Sequence, residues 1–343
     1  MSKRVLCFGE ALIDFLCTGS DEDDGLMLPC YRQYPGGAPA NAAVAVAKLG
    51  GQARFAGLVG KDTFGDFLAN SLVRYGVDIS LLGRHSSAPT SLAFVHLNDD
   101  GDRSFSFYRD GGADTLFDAS VAEASWFENT AVLHLCSNTL TTAQSAEATL
   151  TMADRAVAAG LAVSVDVNLR HNLWQGGAAC KATVMSLVHK AHVLKFAQEE
   201  LEYLAGSEPQ GFIQQLLDSG CKLLLITDGG NPIRAFTGKQ CLTLPVPKMD
   251  VVDTTAGGDG FIGGLLHRIA RDGLDTLLES ETTFKDALGF AIGCGALAVS
   301  RPGAFPALPG LAEAEAFQAS MGDVLHTISV DDSRLPKPCQ RSW

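Results

Sequence analysis

The sequence predicts an α/β fold: a mostly parallel central sheet covered by helices on both faces, with a small β lid. Three observations carry this. From residue 130 onward, short and almost continuously apolar segments alternate with helix-period segments, the pattern of strands buried on both faces. Residues 90–110 break that rhythm with two strand-like runs around a polar Asn, Asp and Gly turn at 98–102, which is hairpin chemistry. A carboxylate among glycines, in the run DTTAGGDGF at 253–261, separates a strand-like run from a helix-like one.

In chain order, residues 5–16 read as a buried strand running into a turn, with Gly9 and Glu10 inside it and Asp14 near its end. Residues 20–37 are rich in Asp, Gly and Pro and lead through PGGAPAN into an alanine-rich helix at 42–49. Adjacent glycines before a helix let backbone approach a ligand closely. Residues 57–60 and 64–75 form a further strand, loop and helix unit. The hairpin strands, 91–97 and 104–109, join residues 15–37 as a lid over the main sheet. Strands then follow at 131–136, 161–167, 193–196 and 222–227, with helices at 142–159, 178–189, 199–204 and 212–217. Residues 242–252 read as a strand before a helix in which Phe261, Ile262, Leu265, Leu266 and Ile269 recur at helical spacing. A helical run at 283–299 precedes the turn RPGAFPALPG. This gives one domain over 1–330, its lid built from about 15–37 and 90–110, and a loose polar tail at 331–343.

Composition narrows the function. A chain of 343 residues, 46% hydrophobic and 19% charged, can bury a full core. A net charge of −13 without a Lys/Arg cluster argues against nucleic acid as a partner. Nine scattered cysteines, an odd number with no CxxC pair, read as small buried hydrophobes in a reducing cytoplasm. The N-terminus resembles neither a signal peptide nor a membrane span, and no uninterrupted apolar stretch is long enough to cross a bilayer, so no membrane partner is expected. The histidines are isolated, with no zinc spacing, and no Ser-His-Asp set stands out.

The glycine-flanked carboxylate admits several readings. Gly258, Gly260 and Gly263 fit the dinucleotide pattern GxGxxG, which would make the chain an NAD-dependent oxidoreductase. Its usual acidic partner is poorly represented, because Glu279 lies in a polar run and a second helix follows. No GxxxxGK[ST] loop is present; Phe55 and Asp62 occupy its first glycine and hydroxyl positions. A second reading is phosphoryl transfer at a helix-terminal anion hole. The amides of Ala256, Gly257 and Gly258 would hold the developing charge and Asp259 would accept a hydroxyl proton, kept ionised by the helix dipole. The plain alternative is a capped helix with glycines for close packing.

DTTAGGDGF closely resembles the C-terminal signature DTTGAGDxF of the ribokinase family, the phosphofructokinase-B type sugar kinases. PGGAPAN resembles that family's N-terminal signature, and the similarity spans residues 5–309. Within the family, FGEALIDF, GLVGKDTFGDFL and TSLAFVHLNDDGDRSFSFYRDGGAD look most like a fructokinase. The resemblance implies a ribokinase-like fold and transfer of the ATP γ-phosphoryl group to fructose, or to 2-keto-3-deoxygluconate or ribose in relatives using the same loop. It assigns Asp14, Gly36, Gly37, Asn41, Arg109 and Asn168 to the sugar together with Asp259, and Arg170 to charge on the transferred phosphate. Lys195, Glu200, Thr227, Gly229, Gly257 and Gly258 fall to ATP, with Glu200 acting through water on Mg2+. Asp253, Thr255, Ala298, Arg301 and Gly303 correspond to a K+ site made mainly of backbone carbonyls. The sequence departs from the family at Ala197, for Asn or Ser, at Pro232, for a nucleotide-loop glycine, and at Ala256, for the first glycine of GAGD. Lid strands in this family often pair between subunits, and Leu92, Phe94, Phe105 and Phe107 would form the buried face of such a homodimer or pack on the chain's own core.

Overall fold

The computed structural model describes residues 3–97, 103–322 and the strand Ser329–Val330. Strand β1 (Arg4–Phe8) serves two cores by simple alternation: Val5 and Cys7 face one helical layer, Leu6 and Phe8 the other. The chain then turns at Gly9, whose φ is +148° and where a Cβ would lie 2.7 Å from the Pro39 ring. Residues 5–16 are therefore not one strand. Beyond the turn, β2 (Leu12–Asp23) and β3 (Leu26–Gly36) form a long hairpin, followed by helix α1 (Ala38–Lys48). Next come β4 (Ala53–Gly60), α2 (Thr63–Arg74), β5 (Asp78–His85), β6 (Leu92–Leu97) and β7 (Arg103–Tyr108).

The regular alternation follows: β8 (Thr130–Cys136), α3 (Ala143–Ala158), β9 (Ala162–Asp166), α4 (Lys181–Val188), β10 (Val193–Ala197), α5 (Gln198–Ala205), α6 (Pro209–Asp218) and β11 (Leu223–Asp228). The remainder is β12 (Asn231–Phe236), β13 (Cys241–Leu244), α7 (Gly257–Asp272), α8 (Leu274–Glu279), α9 (Glu281–Val299), α10 (Leu311–Ser320) and β14 (Ser329–Val330). The run 242–252 is a strand only to Leu244, because Pro245 and Pro247 have no N–H to continue the ladder.

The main sheet has the order β14-β13-β12-β11-β10-β9-β8-β1-β4-β5. Every pair from β11 to β5 is parallel, and β12 to β14 add an antiparallel edge. Because β4 and β8 flank β1 on opposite sides, their connections leave in opposite directions and a crevice opens at the carboxyl ends of β1 and β8. Helix α9 is long and apolar enough by composition to cross a membrane, but it is mostly buried inside the fold, with Phe290 and Cys294 sharing a core with Ala314 of α10. Lys285 and Asp286 interrupt its apolar run.

The lid is a separate sheet of order β3-β2-β6-β7. Its register pairs Phe94 with Ser106, Val95 with Phe105 and Ala93 with Phe107. Since neighbours in a strand face opposite sides, Leu92 and Phe94 share one face while Phe105 and Phe107 share the other. The four do not form a single face. Phe94 stacks on Phe15 at 5.0 Å and meets Tyr31 edge-on, whereas Phe105 and Phe107 line the crevice. The hairpin turn 98–102 and the tail 331–343 lie outside the described residues.

Candidate active site

Helix α7 begins at the crevice. Ala256 is its N-cap, and the first helical bond runs from the Gly260 N–H to the Ala256 carbonyl at 2.8 Å. The amides before Gly260 belong to the first turn, whose N–H groups have no carbonyl partner inside the helix; the Gly257 N–H makes a long 3.3 Å contact with the Thr254 carbonyl. Three glycines serve close packing. A Cβ at Gly260 would press on Ala298 and the Cys294 carbonyl, at Gly263 on Ala45, and at Gly264 on Cys294. Two glycines of the GxGxxG pattern, Gly260 and Gly263, are thus explained by α9 and α1 lying against α7. No parallel strand follows α7 among the described residues, only α8, α9 and α10 before β14, so the βαβ unit of a dinucleotide site is missing.

Asp259 stands in the first turn of α7, 8% exposed. Its Oδ2 accepts a 2.7 Å hydrogen bond from Asn41 Nδ2 on α1. Burial pushes its pKa up to about 7, against the pull of Asn41, and the neighbouring Asp166 charge adds to the rise. Desolvation therefore outweighs the helix dipole, and the expectation of a fully ionised carboxylate at neutral pH gives way to one near its midpoint.

The sugar-assigned residues gather on one side of this helix start. Asp14 of β2 lies against Gly36, where a Cβ would collide with its carboxylate, and burial pushes Asp14 up to about 7 as well, with Arg170 opposing the rise and Asp259 adding to it. Gly37 has φ +104° and caps α1, and a Cβ there would meet the Glu10 carbonyl at 2.5 Å. These two glycines are required by close approach and backbone sign, and they deliver Asn41 to Asp259. Arg109 lies elsewhere. It is buried, its Nε donates to Asp114 Oδ2 at 2.6 Å and its Nη1 to the Asn138 carbonyl at 2.7 Å, and it does not line the cavity. Burial opposes its charge, but the Asp114 and Glu10 carboxylates more than offset that and raise its pKa.

The sequence reading passed over Glu10 and Asn138. Both line the same cavity of about 400 Å³, with Asp14, Asn41 and Asp259. Glu10 follows β1, is 2% exposed, and its Oε1 accepts from the Ala38 N–H at 3.3 Å and from Asn138 Nδ2 at 3.1 Å. Glu10 was visible only as a charged residue interrupting an apolar strand, the signal that would have singled it out.

Beyond β9 the backbone bends sharply: Asn168 and Arg170 hold φ of +36° and +41°. Such values are uncommon for residues other than glycine and concentrate at functional sites. The bend presents both to the cavity, where Arg170 lies 5.2 Å over the Phe105 ring of the lid. Lys195 Nζ bonds both Asp166 oxygens at 2.8 Å and sits against Gly258, where a Cβ would be 3.3 Å away. Burial disfavours the Lys195 charge, yet Asp166 and Glu200 hold its pKa above the ordinary value. Glu200 accepts from the Leu169 N–H at 2.9 Å and the Ala197 N–H at 2.8 Å, so it ties β10 and α5 to the bend. Burial and Asp166 raise its pKa.

A second cavity, about 520 Å³, runs from Thr227, Gly229 and Gly230 past Ile233 to α7 and α9, and it is mostly apolar. Both cavities are lined by Thr254 and Gly258, so they meet at the start of α7. The cation-assigned residues are also brought together: Asp253 accepts from the Thr255 N–H at 2.8 Å and the Gly303 N–H at 2.9 Å, joining the loops before α7 and after α9. Gly303, with φ +87°, packs on the Tyr34 ring, Ala298 is buried against Gly260 of α7, and Arg301 is turned to Glu313. Among the described residues no group of three or more His, Cys, Asp or Glu side chains is placed to hold a metal.

The arrangement can do one kind of chemistry well. A polar cavity and an apolar one converge on helix-start amides, a buried carboxylate and an ammonium, as needed for moving a phosphoryl group onto a hydroxyl. Known proteins agree with this. The model of the pfkB family carbohydrate kinases matches residues 2–310. A relative named probable fructokinase-6, chloroplastic, of Arabidopsis thaliana is 39% identical over 314 residues, 90% of this chain and 80% of its own length. The structure of a Xylella fastidiosa fructokinase with bound ATP superimposes with a TM-score of 0.87 at 40% identity, over 94% of this chain and all of that one. A Vibrio cholerae fructokinase bound to fructose, ADP and a calcium ion gives 0.79 at 34% identity, over 92% and 99%.

Proposed function

The chain belongs to the pfkB family of carbohydrate kinases, and from that premise we infer that it is a fructokinase, transferring the γ-phosphoryl group of ATP to fructose to give fructose 6-phosphate and ADP. The observation that carries this reading is the meeting of the two cavities at Thr254 and Gly258, next to Asp259 of the polar one. The sugar occupies the polar cavity, held by Asp14, Gly36, Gly37, Asn41 and Asn168, while Arg109 holds the Asn138 carbonyl from outside the cavity lining. ATP occupies the apolar one, along Thr227 and Gly229. Asp259 accepts the proton of the attacking hydroxyl while the amides of Ala256, Gly257 and Gly258, with Arg170 and Lys195, hold the charge on the transferred group.

Magnesium, when bound, neutralises phosphate charge, as it does in sites that use one or two carboxylates and the nucleotide's own oxygens. Glu200 is the carboxylate that fits, through water, because both of its oxygens already take backbone N–H groups. Potassium belongs at the carbonyls of Asp253, Thr255, Ala298, Arg301 and Gly303, between the two loops that the Asp253 side chain joins. We place the enzyme in the cytoplasm, as a homodimer through the lid face that carries Phe94 and the 67% exposed Tyr108. The test is ADP release with fructose, 2-keto-3-deoxygluconate, ribose, glucose and adenosine, with and without potassium. Fructose should give the highest kcat/KM, and potassium should raise it; release with none of these, or a nicotinamide absorbance change in its place, would overturn the reading.

A further inference from the structure

Of six buried side-chain polar atoms without a hydrogen-bond partner among the described residues, three belong to residues that line one cavity: Glu10 Oε2, Asn41 Oδ1 and Asn138 Oδ1, while Arg109 Nη2 lies outside that lining. Folded proteins leave few such atoms, and a cluster at a cavity indicates groups that a ligand satisfies. All three are acceptors. That pattern fits a neutral polyol, because each hydroxyl donates one hydrogen bond and accepts others.

Glu10 is the member whose partners fix it most firmly. The turn at Gly9 directs it into the crevice beside the carboxyl end of β1. Its Oε1 is engaged by the Ala38 N–H and by Asn138 Nδ2, which leaves Oε2 as the one lining oxygen of that carboxylate with no partner. Asn138 in turn accepts Arg109 Nη1 on its backbone carbonyl, so Glu10, Asn138 and Arg109 form one connected set. Burial raises the Glu10 pKa, and the Arg109 charge and the Asn138 hydrogen bond oppose that rise.

We propose that Glu10 is a further sugar-binding residue, whose free Oε2 accepts a hydrogen bond from a substrate hydroxyl other than the one phosphorylated. The proposal rests on the reading that this cavity takes a sugar. Glu10→Gln is the discriminating variant, because its amide oxygen can keep the bonds from Ala38 and Asn138 while its NH2 group replaces the free acceptor with a donor. The fructose KM should rise at least about tenfold, the loss expected for a hydrogen bond to a charged group, with the ATP KM changed less than about twofold. Among singly deoxygenated fructoses, one should bind the wild type worse than fructose and the variant no worse. An unchanged fructose KM, equal losses for sugar and ATP, or no such coupling would overturn the proposal. If wild type releases no ADP with any sugar, the kinase reading itself fails; normal wild-type turnover with an indifferent variant removes only Glu10. Should the variant not fold, a crystal structure of wild type with fructose decides: a substrate oxygen within hydrogen-bond distance of Glu10 Oε2 supports the role, and its absence contradicts it.

Discussion

Burial sets the proton affinity of Asp259, and the sign of that effect shapes two measurements. A base works only when deprotonated, so kcat/KM should fall as pH drops below about 7, the value to which Asp259 is pushed up. Removing the Asn41 hydrogen bond, which holds that pKa down, should move the acidic limb to higher pH; a limb unmoved in Asn41→Ala would detach it from Asp259. Stability runs the opposite way. A carboxyl whose folded pKa is raised binds its proton more tightly in the fold, so its contribution is most favourable below the unfolded value of 3.8 and is lost as pH rises through about 7. Asp259→Asn, lacking that charge, should therefore melt higher than wild type at pH 8 without ligands. An equal or lower Tm would contradict the burial argument.

At the scale of elements, α7 depends on glycines for reasons its signature does not announce. Gly263→Ala raises helix propensity, yet its Cβ would enter the space of Ala45, and overpacking of this kind costs about 1–3 kcal/mol. A lower midpoint in urea is expected, and a stabilised variant would show that α1 and α7 are less tightly apposed. Arg109 and Asp114 pin the exit of β7 to the turn Ala113–Leu116 through a buried ion pair, with Ser91 also bonded to Asp114. Removing one partner of such a pair costs about 3–5 kcal/mol, so Arg109→Ala should unfold much more readily than Arg109→Met with Asp114→Asn. Similar losses in both would remove the pair as the cause.

The alternation of strands and helices after residue 130 was legible because buried parallel strands carry almost unbroken apolar runs. The helix-start motif and PGGAPAN were legible because glycines and polar residues at fixed spacing have few packing explanations. Strand β5 and the outer half of the lid hairpin were not, since DISLLGRH is mostly half-buried without a clear alternation and the residues around Asp21–Asp23 are exposed. Glu10 and Asn138 were missed for a different reason: their partners lie 28 and 128 residues away from Glu10, or in no side chain at all, and only the fold brings them to one wall.

Across the whole molecule, the reversal of strand order at β1 opens the crevice, the lid sheet supplies Phe105 and Phe107 as its cover, and α7 brings Asp259 to the place where the two cavities join. Lid closure over that junction would exclude water and suppress ATP hydrolysis in the absence of sugar. Tyr108→Glu on the exposed lid face should shift gel filtration toward monomer; an unchanged profile would move the subunit contact elsewhere. The most direct test of the convergence is steady-state kinetics of Asp259→Asn with fructose and ATP, together with the affinity of each ligand. Loss of the base should lower kcat by at least about 10²-fold while both affinities stay close to wild type. Near-normal turnover in that variant would contradict the assignment of Asp259 as the residue at which the two substrates meet.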